Sequence, residues 1–569
     1  MITKSINNNS LSTKNIGEKV VLHGWIANKR RFGEMTFVDL RDRSGIVQCV
    51  FAEDLKLTKE SVIEVHGNVV ARKSVNKELA TGEIEIIVES YTVFSTSLEE
   101  LPFAVRDDID VKEDLRLKYR YLDLRRPKMQ RNIILKNEVM FAVREFMNKN
   151  GFIDIETPLL ARSTPEGARD FLVPTRDSNS FWALPQSPQL FKQTLMISGF
   201  ERYFQFARCF RDEDGRKDRQ PEFTQLDIET SFINVDDFQK IIEDLFKHIF
   251  AKLGIELKTP LTRLKYFDVF RDYGTDKPDL RFGYKIQDIK NYWENTDFSV
   301  IKDTKARRML YVPNLISKKD FKHISEIALK NKANILFYFV VENGQISHTN
   351  FANKTPESVT QLIIDSGNKD GSYFIVANTY ENASKSLGAV RVELNDMFSY
   401  ANPNEYHLSW ITDWPMFEYD ETTNSWQAAH HPFTQFDHEL EELDRLEIDK
   451  VMARSYDLVL NGFELGSGSA RIFDARTQQK MFDMIGMSAE KQQSMFGWFT
   501  DALKYGVPPH CGIGLGLDRL VMILTQEKSI REVIAFPKNA KAQDVFTQAP
   551  GAVEQTQLDE LHICIKEEK

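Results

Sequence analysis

Cysteine is scarce in this chain of 569 residues, and the four that occur are far apart. Because Cys49, Cys209, Cys511 and Cys564 form no C-x-x-C pair, the sequence disfavours a structural zinc site and suits a reducing cytosol. No apolar run approaches the roughly 18 to 20 residues that a membrane helix needs. The polar segment 1–15 has no apolar core followed by a cleavage site, so we expect no secretion signal and a cytoplasmic location.

An excess of positive charge is also absent. The formal net charge is -10, and the first hundred residues contain 13 Lys or Arg against 14 Asp or Glu. Domains that bind nucleic acid are usually basic, so any contact with RNA has to come from local patches. Hydrophobic and charged contents of 42% and 28% are ordinary for a soluble globular protein, and the length predicts about two to four domains.

Residues 1–100 have the pattern of an all-β domain, with a tight-turn sequence at Asp42–Gly45. Five short strands fit a small closed barrel of the OB type, a fold that commonly binds single-stranded nucleic acid. The basic run Lys29–Phe32 is predicted in the first loop, as either a nucleic-acid contact or simply a solvated loop. The candidate strands are Val20–Ile26, Met35–Arg41, Ile46–Phe51, Val62–Ala71 and Ile84–Phe94.

The next segments differ in charge and periodicity. Residues 101–130 are highly charged without clear periodicity and are predicted to form a linker or hinge. Apolar residues over 135–147 recur at helical spacing, and this helix is expected to end at Asn150-Gly151. Residues 282–402 mix strand and helix signals without a cluster of catalytic residue types, which predicts an inserted α+β domain.

A charged hairpin is predicted between Tyr203 and Phe232. Arg211 ends its first strand, where a rigid β element can aim the side chain into a cleft. One face of the second strand is mostly polar and acidic, which suits a substrate site, although a merely exposed hairpin is the alternative. The residues that share this face are Phe223, Gln225, Asp227, Glu229 and Ser231.

Glycine occupies every second position at Gly512, Gly514 and Gly516. This pattern strips side chains from one face of a strand and leaves a flat floor for a planar ligand. A helix is predicted from Leu517, and Arg519 in its first turn suits stacking on a base or clamping a phosphate. The run is not a P-loop, and the pattern G-x-x-x-x-G-K-[ST] does not occur in the chain.

Three segments, in this order, resemble the signature motifs of the class II aminoacyl-tRNA synthetases: Gly151–Leu160 resembles motif 1, Phe210–Glu229 motif 2 and Gly512–Arg519 motif 3. Within that class, further segments resemble the bacterial aspartyl-tRNA synthetases of subclass IIb, and the resemblance covers nearly the whole chain. These segments are Thr164–Phe171, Gln186–Gln193, Tyr273–Arg281 and His430–Thr434.

The resemblance implies an OB-fold anticodon-binding barrel at 1–100 and a catalytic domain in two parts, 131–281 and 403–569, the second with a C-terminal extension. The catalytic domain would be an antiparallel sheet flanked by helices, and the chain would be a homodimer through motif 1. The implied activity is ATP-dependent ligation of L-aspartate to tRNA-Asp through an aspartyl-adenylate, with release of pyrophosphate and AMP. Because the attacking carboxylate is already ionised, positioning and charge neutralisation suffice for the first step.

For the nucleotide, the resemblance implies that Arg211 binds the α-phosphate and the substrate α-carboxylate. Phe223 would stack on adenine, and Arg519 would lie on the other side and reach the γ-phosphate. Asp457 and Glu464 would hold Mg²⁺, which prefers oxygen ligands. Arg211, Arg519 and Glu464 are thus the implied catalytic residues, and further ATP contacts are implied for Asp212, Glu213, Gln220, Gly516, Leu517 and Asp518.

For aspartate, the resemblance implies a positive pocket in which Arg471 and Lys192 pair with the side-chain carboxylate. Asp227 would orient the lysine, and His430 would close over the substrate. A positive pocket favours a substrate with a side-chain carboxylate. This distinguishes the interpretation from an asparaginyl- or lysyl-tRNA synthetase, whose substrates carry an amide or an ammonium. The substrate ammonium would be faced by Glu166, Ser187 and Gln189.

In the barrel, the resemblance implies that Phe37 stacks a splayed base, Gln48 bonds a base edge and Lys29–Arg31 hold phosphates. Relatives that also charge tRNA-Asn often carry histidine just after the basic run, and strict relatives carry leucine. Phe32 is nearer to leucine, so we expect a strong preference for tRNA-Asp.

Three positions depart from the family pattern. Ser467 replaces a usual glycine, Phe473 stands where histidine is common, and Cys511 replaces a glycine of motif 3. The alternatives that stay open are an asparaginyl- or lysyl-tRNA synthetase, a non-catalytic RNA-binding paralogue, and an ATP-dependent amidating enzyme, which would lack the barrel.

Overall fold

A computed structural model describes residues 6–164, 167–177, 179–293, 299–351, 357–367 and 369–566. The chain divides into two compact units. The first comprises Met1–Ile134 with Arg531–Gly551, and the second comprises Leu135–Ile530 with Ala552–Lys569. Within the described ranges, no helix is both long and apolar enough to cross a membrane.

The first unit contains a closed five-stranded barrel in the order β1-β2-β3-β5-β4. Side chains alternate between its interior and its surface, as the sequence pattern predicts. The strands are β1 (Lys19–Phe32), β2 (Met35–Arg41), β3 (Ile46–Phe51), β4 (Val62–Ala71) and β5 (Ile84–Ser95).

The predicted bounds of β2, β3 and β4 agree, β5 ends one residue later than predicted, and the first strand is longer. The prediction that Lys29–Phe32 forms a loop is wrong, because these residues continue β1 and pair with β2. Arg30 lies opposite Phe37, and Phe32 lies opposite Met35. Apolar residues alternate only as far as Ile26, so the sequence does not indicate that the strand continues through the polar residues beyond it.

Three helices follow the barrel: α1 (Glu113–Lys118), α2 (Arg120–Asp123) and α3 (Pro127–Lys149). The segment 101–130, predicted as a linker or hinge, therefore contains helices, and its role as a linker remains a prediction. The helix α3 begins at Pro127, because proline has the backbone angle of a first helical turn and lacks an N–H that would go unpaired there. Gly151 follows with a positive φ of 76°, close to the predicted helix end.

The elements of the second unit follow in chain order. The first group is β6 (Ile153–Asp154), β7 (Leu172–Pro174), β8 (Phe181–Ala183), α4 (Gln189–Ile197), β9 (Arg202–Phe210), β10 (Glu222–Ser231), α5 (Val235–Lys252), β11 (Thr262–Lys265) and α6 (Tyr266–Tyr273). The middle group is β12 (Ile286–Asp288), α7 (Ser299–Lys302), β13 (Ala306–Val312), α8 (Lys318–Lys330), β14 (Phe337–Glu342), β15 (Gln345–Thr349), α9 (Glu357–Asp365), β16 (Gly371–Asn378) and α10 (Tyr380–Phe398). The last group is β17 (Leu408–Thr412), β18 (Trp414–Pro415), β19 (Phe417–Asp420), β20 (Ser425–Ala428), β21 (Met452–Ala453), β22 (Ser455–Leu460), β23 (Phe463–Ala470), α11 (Ala475–Met484), α12 (Ala489–Ala502), β24 (His510–Gly516), α13 (Leu517–Leu524) and α14 (Gln555–Glu560).

An eight-stranded sheet in the order β11-β17-β22-β23-β24-β10-β9-β6 organises this unit. Its six inner strands are antiparallel, as expected, whereas the edge strands β6 and β11 pair in parallel. Helices α4 and α13 pack on β10, and α5 packs on β24. The predicted α+β fold class, with its barrel and helix-flanked sheet, is confirmed.

A separate five-stranded sheet, β12-β13-β16-β14-β15, lies within residues 282–402. Apolar clusters pack on it, one including Leu310 and Val340 and another including Met309 and Phe339. These pairs of neighbouring residues face opposite sides of the strands β13 and β14, so both faces of the sheet are covered. The predicted boundaries of an inserted domain remain a prediction.

Candidate active site

A cavity of about 470 Å³ lies in the second unit over β10, β22, β23 and β24. These strands are adjacent in the large sheet only because β24 lies between β10 and β23, which are far apart in the sequence. The predicted residues that line the cavity are Ser187, Gln189, Lys192, Arg211, Glu213, Gln220, Phe223, Asp227, His430, Asp457, Glu464, Arg471, Gly516, Asp518 and Arg519.

Two predicted ATP-site residues do not line this cavity. The backbone N–H of Asp212 donates to the carbonyl of Arg169 at 3.0 Å, in a short bridge beyond β9. Leu517 starts α13, and its side chain is buried on the apolar face that it shares with Leu520. Glu166 lies outside the described residues.

Asp518 borders the cavity, but its carboxylate already has two partners. One oxygen accepts the backbone N–H of Thr224 at 2.9 Å, and the other accepts Lys136 Nζ at 2.5 Å. These bonds hold α13 against β10 and α3. The geometry therefore gives Asp518 a positioning role that competes with the predicted ATP contact.

Arg471 is the buried anchor of one end of the cavity. Its Nε and Nη2 donate to the two carboxylate oxygens of Glu229 at 2.9 and 3.1 Å. Its Nη1 donates to Ser469 Oγ and His431 Nε2, both at 2.7 Å. This fork fixes the guanidinium plane and leaves one N–H of Nη2 for a ligand.

Lys192 on α4 points into the same end of the cavity. Its ammonium donates to Asp227 Oδ1 at 2.9 Å and lies 3.5 Å from Glu229 Oε2. Burial raises the pKa of Asp227 despite the attraction of Lys192. Burial acts in the same direction on Glu229, but Arg471 and Lys192 outweigh it and hold the pKa of Glu229 below its ordinary value.

The sequence suggests a positive pocket, but the structure places acidic side chains next to the two cationic ones. Asp227 and Glu229 offset the charges of Lys192 and Arg471, so the charges at this end of the cavity are paired. The sequence pattern placed Asp227 and Glu229 on one strand face but did not assign Glu229 a partner.

The alternating glycines of β24 explain how these carboxylates fit. A Cβ on Gly512 would lie 1.9 Å from Glu229 Oε2, so only glycine admits the Glu229–Arg471 pair at this position. At Gly514 the nearest atom to such a Cβ is Asp227 Oδ1, at 3.3 Å. The predicted flat floor is thus occupied by carboxylates at one end and open towards Gly516.

The opposite end of the cavity contains the predicted nucleotide residues. The guanidinium of Arg211 lies 5.1 Å from the ring centroid of Phe223, and its Nε donates to the carbonyl of Gln186 at 3.4 Å. Arg519 donates to the carbonyl of Glu464 and forms an ion pair with Asp218 at 3.2 Å. An aromatic ring and two arginines on one groove suit a planar base carrying phosphates.

Asp457 and Glu464 lie next to this groove on β22 and β23. Burial, and then the neighbouring carboxylate of Asp457, raise the pKa of Glu464. Among the described residues, Asp457 Oδ1 is buried without a hydrogen bond, and His430 Nε2 lies 3.5 Å from it. Two mutually repelling oxygen ligands fit Mg²⁺, which keeps waters and phosphate oxygens as its other ligands.

The two adjacent histidines have different environments. His430 packs edge-on against Trp414, with ring centroids 5.0 Å apart, and borders the cavity beside Asp457. His431 accepts from Arg471, and burial together with the positive charge of that arginine lowers its pKa well below the ordinary value. His431 therefore stays neutral and acts as an acceptor, a role that sequence reasoning missed.

The three departures from the family pattern lie in different places. Ser467 lines the cavity on β23, whereas Phe473 is partly exposed beyond that strand. Cys511 is buried, and its sulfur lies 3.8 Å from Thr230 Oγ1. Burial raises the pKa of Cys511 to about 12, so this thiol is inert at neutral pH.

Of the predicted anticodon residues in the first unit, Arg30, Phe37 and Gln48 share one face of the barrel sheet, and alternation along β1 turns Lys29 and Arg31 to the other face. Phe37 is partly exposed on β2 and lies opposite Arg30 of β1. Two residues further along β2, Asp39 lies opposite Gln48 of β3. Gln48 is only 3% exposed, because its amide accepts from Arg30 and Arg72 and donates to Glu85. Lys29 donates to the carbonyl of Leu55, and Arg31 is paired with Asp54 at 2.7 Å.

Comparison with known proteins places this geometry in a family. Residues 112–540 match the family described as tRNA synthetases class II (D, K and N), and residues 20–94 match the OB-fold nucleic acid binding domain. Asparaginyl-tRNA synthetase from Pyrococcus horikoshii with asparaginyl-adenylate has the same fold, with a TM-score of 0.59 and 20% identity over 94% of this chain and 98% of that chain.

Sequence relatives are much closer. The aspartate–tRNA ligase of Malacoplasma penetrans is 46% identical over 98% of both chains. The aspartate–tRNA ligase of Bacillus licheniformis is 45% identical, and the aspartate–tRNA(Asp/Asn) ligase of Geobacillus sp. is 43% identical, each over 98% of both chains. These relatives do not favour the asparaginyl, lysyl or non-catalytic alternatives, and the chain belongs to the aspartate–tRNA ligase family of class II tRNA synthetases.

Proposed function

We propose that this protein ligates L-aspartate to tRNA-Asp, using ATP and an aspartyl-adenylate intermediate. The observation that carries the proposal is the buried Arg471–Lys192 end of the cavity, which opens towards Arg211 and Phe223. Arg471 and Lys192 at this end, with Arg211 beyond it, supply cationic donors for both carboxylates of aspartate, whereas the side chain of asparagine is neutral and that of lysine is a cation. Arg471 and Lys192 would hold the side-chain carboxylate, and Ser187 and Gln189 the ammonium.

In the first step, an oxygen of the aspartate α-carboxylate attacks the α-phosphorus of ATP, and pyrophosphate leaves. Arg211 would hold both reacting groups, since its guanidinium lies over Phe223 and its charge also acts on Asp227 at the aspartate end. Arg519 would neutralise the phosphates from the other side once a nucleotide replaces its contact with Asp218. No proton has to be removed from the nucleophile, so positioning and charge neutralisation account for the rate.

Asp457 and Glu464 would hold Mg²⁺ in this scheme. The ion supplies neutralisation of phosphate charge when it is bound. The two carboxylates provide oxygen ligands of the preferred kind, and burial together with the negative charge of Asp457 raises the pKa of Glu464.

In the second step, the terminal ribose hydroxyl of tRNA attacks the aspartyl carbonyl carbon. The bond from that carbon to the AMP oxygen breaks, AMP leaves with the electron pair, and the hydroxyl proton passes to water or a phosphate oxygen. The test is charging of a tRNA-Asp transcript with labelled aspartate and ATP. Failure to charge it, with active relatives tested in parallel, would contradict the proposal.

We propose that the barrel surface around Phe37 contacts the anticodon and that tRNA-Asp is strongly preferred over tRNA-Asn. Phe32 is 75% exposed at the end of β1 and offers no hydrogen bond to an alternative base. Phe32→His should raise kcat/KM for tRNA-Asn about fivefold, the value of one hydrogen bond, and Phe32→Leu should not. Comparable kcat/KM values of the wild type for both tRNAs would contradict this prediction.

We also propose a homodimer through motif 1. Phe141 is 68% exposed and lies one helical turn before Arg144, which pairs with Asp154 of motif 1. Within motif 1, Ile153, Leu159 and Leu160 are also exposed. The bridge between Ala161 and Ala183 brings the β7–β8 hairpin, with exposed Leu172, Phe181 and Trp182, next to this segment. A monomer rarely exposes so many large apolar side chains together.

Sedimentation should therefore give about twice the chain mass of 65.9 kDa at micromolar concentration. Phe141→Asp should shift the protein towards a monomer, because it places a charge in the apolar interface. Tyr505→Asp is the matched control, since Tyr505 is 83% exposed outside this segment. A wild-type protein that sediments as a monomer at micromolar concentration would contradict the proposed homodimer.

A cytoplasmic location is proposed as well, because tRNA and ATP are available there and the four cysteines are free thiols.

A further inference from the structure

The segment 273–281, which begins at the last residue of α6, contributes two charged side chains to the wall of the active-site cavity. These are Asp276 and Lys277. Lys277 is exposed to solvent and forms no ion pair with the acidic residues that the structure describes. A lysine ammonium is a compact positive charge, so an unpaired one at the edge of this cavity is available to an anionic ligand such as a phosphate.

The charge of Lys277 acts on the two carboxylates that would hold Mg²⁺. Burial and the carboxylate of Asp457 raise the pKa of Glu464, whereas the positive charges of Arg519 and then Lys277 oppose this rise. Arg519 is already paired with Asp218 at 3.2 Å. Lys277 therefore adds positive charge beside the proposed metal ligands, where the phosphates of ATP would lie.

Close backbone approaches hold the start of the segment 273–281 against the helix α10. Gly274 follows α6 with a φ of 67°, and a Cβ at this position would lie 2.0 Å from the carbonyl oxygen of Ser384. From the side of α10, a Cβ on Gly388 would lie 2.7 Å from the carbonyl oxygen of Tyr273. Only glycine fits at these two positions, so the end of α6 and the helix α10 are in direct backbone contact.

Arg391 of α10 holds the other end of the segment. Its guanidinium is buried and donates to the backbone carbonyl oxygens of Asp279 at 2.8 Å and Phe282 at 2.6 Å. The same group lies 4.8 Å from the ring centroid of Tyr273. Because a buried guanidinium needs acceptors, these carbonyls are fixed in place. The helix α10 thus contacts the chain both before and after the exposed ammonium.

The helix α10 is in turn part of the predicted inserted domain. It packs on the strands β13 and β16 of the five-stranded sheet, and Leu387, Val390 and Leu394 belong to the apolar core on that face. Packed contacts therefore continue from the core of this domain, through α10, to the segment that carries Lys277.

We propose that the predicted inserted domain positions Lys277 on the β- and γ-phosphates of ATP, with Arg391 as the positioning residue. The inference rests on the proposed function. Pyrophosphate is the leaving group of the first step, and a cation on its oxygens stabilises the charge that develops there. Lys277 would act only on ATP and pyrophosphate, since AMP and the aspartyl-adenylate lack these two phosphates.

Lys277→Ala should raise the KM for ATP and the inhibition constant of pyrophosphate by roughly 10- to 150-fold, the value of one hydrogen bond to a charged group. Calorimetric titration with Mg²⁺-ATP should show the same loss without turnover. The inhibition constant of AMP and the transfer of aspartate from preformed adenylate to tRNA should not change. Lys277→Arg should retain most of the affinity, and Lys258→Ala, an exposed lysine outside the cavity, should have no effect.

The role of the domain is tested with Arg391→Ala. This variant should raise the KM for ATP by roughly 2- to 30-fold and leave the KM for aspartate unchanged. In the double variant with Lys277→Ala, the two effects should be less than additive, because both act through the same ammonium. Arg307→Ala is the matched control, since Arg307 is a buried arginine of β13 that donates to the carbonyls of Ile301 and Lys302. It should lower the melting temperature without changing the KM for ATP.

Three results would overturn the contact of Lys277 with the phosphates. They are an unchanged KM for ATP in Lys277→Ala, an equal rise in the inhibition constant of AMP, and a loss confined to the transfer step, which would place the ammonium on tRNA. Additive effects in the double variant, or an equal rise in the KM for ATP in Arg307→Ala, would overturn the positioning role of the domain. Absence of exchange in the wild type would instead contradict the proposed function, so the failures are distinguishable.

Discussion

Arg471→Ala should nearly abolish aspartate activation. The guanidinium is fully buried and is held by both oxygens of Glu229, so its removal leaves that carboxylate, and the carboxylate of bound aspartate, without a partner. A buried charge that loses its partner costs about 3–5 kcal/mol, which is a loss of roughly a hundredfold to several thousandfold in kcat/KM for aspartate. Pyrophosphate exchange at varied aspartate concentration measures it.

Two variants separate recognition from folding. Arg391→Ala removes another buried arginine, one that donates to carbonyls of Tyr284 and Phe282 outside the cavity. It should lower the melting temperature without changing the KM for aspartate. Arg471→Lys keeps the charge but lacks the two parallel N–H donors that bind Glu229, so it should recover only part of the activity. Wild-type exchange in Arg471→Ala would show that this residue does not hold the substrate.

Glu464→Gln should lower adenylate formation on the order of a hundredfold, since a metal that neutralises phosphate charge contributes several kcal/mol. The substitution removes a charged oxygen ligand at nearly constant size, so the optimal Mg²⁺ concentration should rise. Lower pH should raise that optimum in the wild type as well, because the ligand has to be deprotonated and its pKa is above the ordinary value.

Glu464→Gln is expected to lower activity, but the raised pKa of Glu464 predicts that, without Mg²⁺, the substitution does not lower the stability of the fold. A carboxyl group whose pKa is higher in the folded protein destabilises the fold as pH rises through that pKa. At neutral pH, Glu464→Gln should therefore melt at the same or a higher temperature than the wild type, and Mg²⁺-ATP should stabilise the variant less than the wild type. Glu243→Gln is the control, since Glu243 is buried against Trp410 away from the cavity. An unchanged Mg²⁺ dependence would place the ion elsewhere.

Periodicity predicted the strands well where apolar alternation ends at a turn. The bounds of β2, β3 and β4 agree with the prediction, since a charged residue follows each strand within two positions, at Asp42, Glu53 and Arg72. The first strand could not be delimited in this way, since Lys29–Phe32 pairs with β2 through its backbone and buries no regular apolar face.

The candidate site was predicted as a set of residues but not as a set of contacts. The alternation in β10 placed Asp227 and Glu229 on one face, and the register of β10 with β24 and of β24 with β23 is what brings Glu229 to Arg471. Register between distant strands leaves no local signal in one sequence. The neutral state of His431 likewise depends on a partner forty residues away.

The central claim is that the buried Arg471–Lys192 end of the cavity selects aspartate for activation. Pyrophosphate–ATP exchange with aspartate, asparagine and lysine at equal concentrations tests it most directly. We expect rapid exchange with aspartate and little above background with the other two. Exchange with asparagine or lysine that equals or exceeds exchange with aspartate would contradict the account.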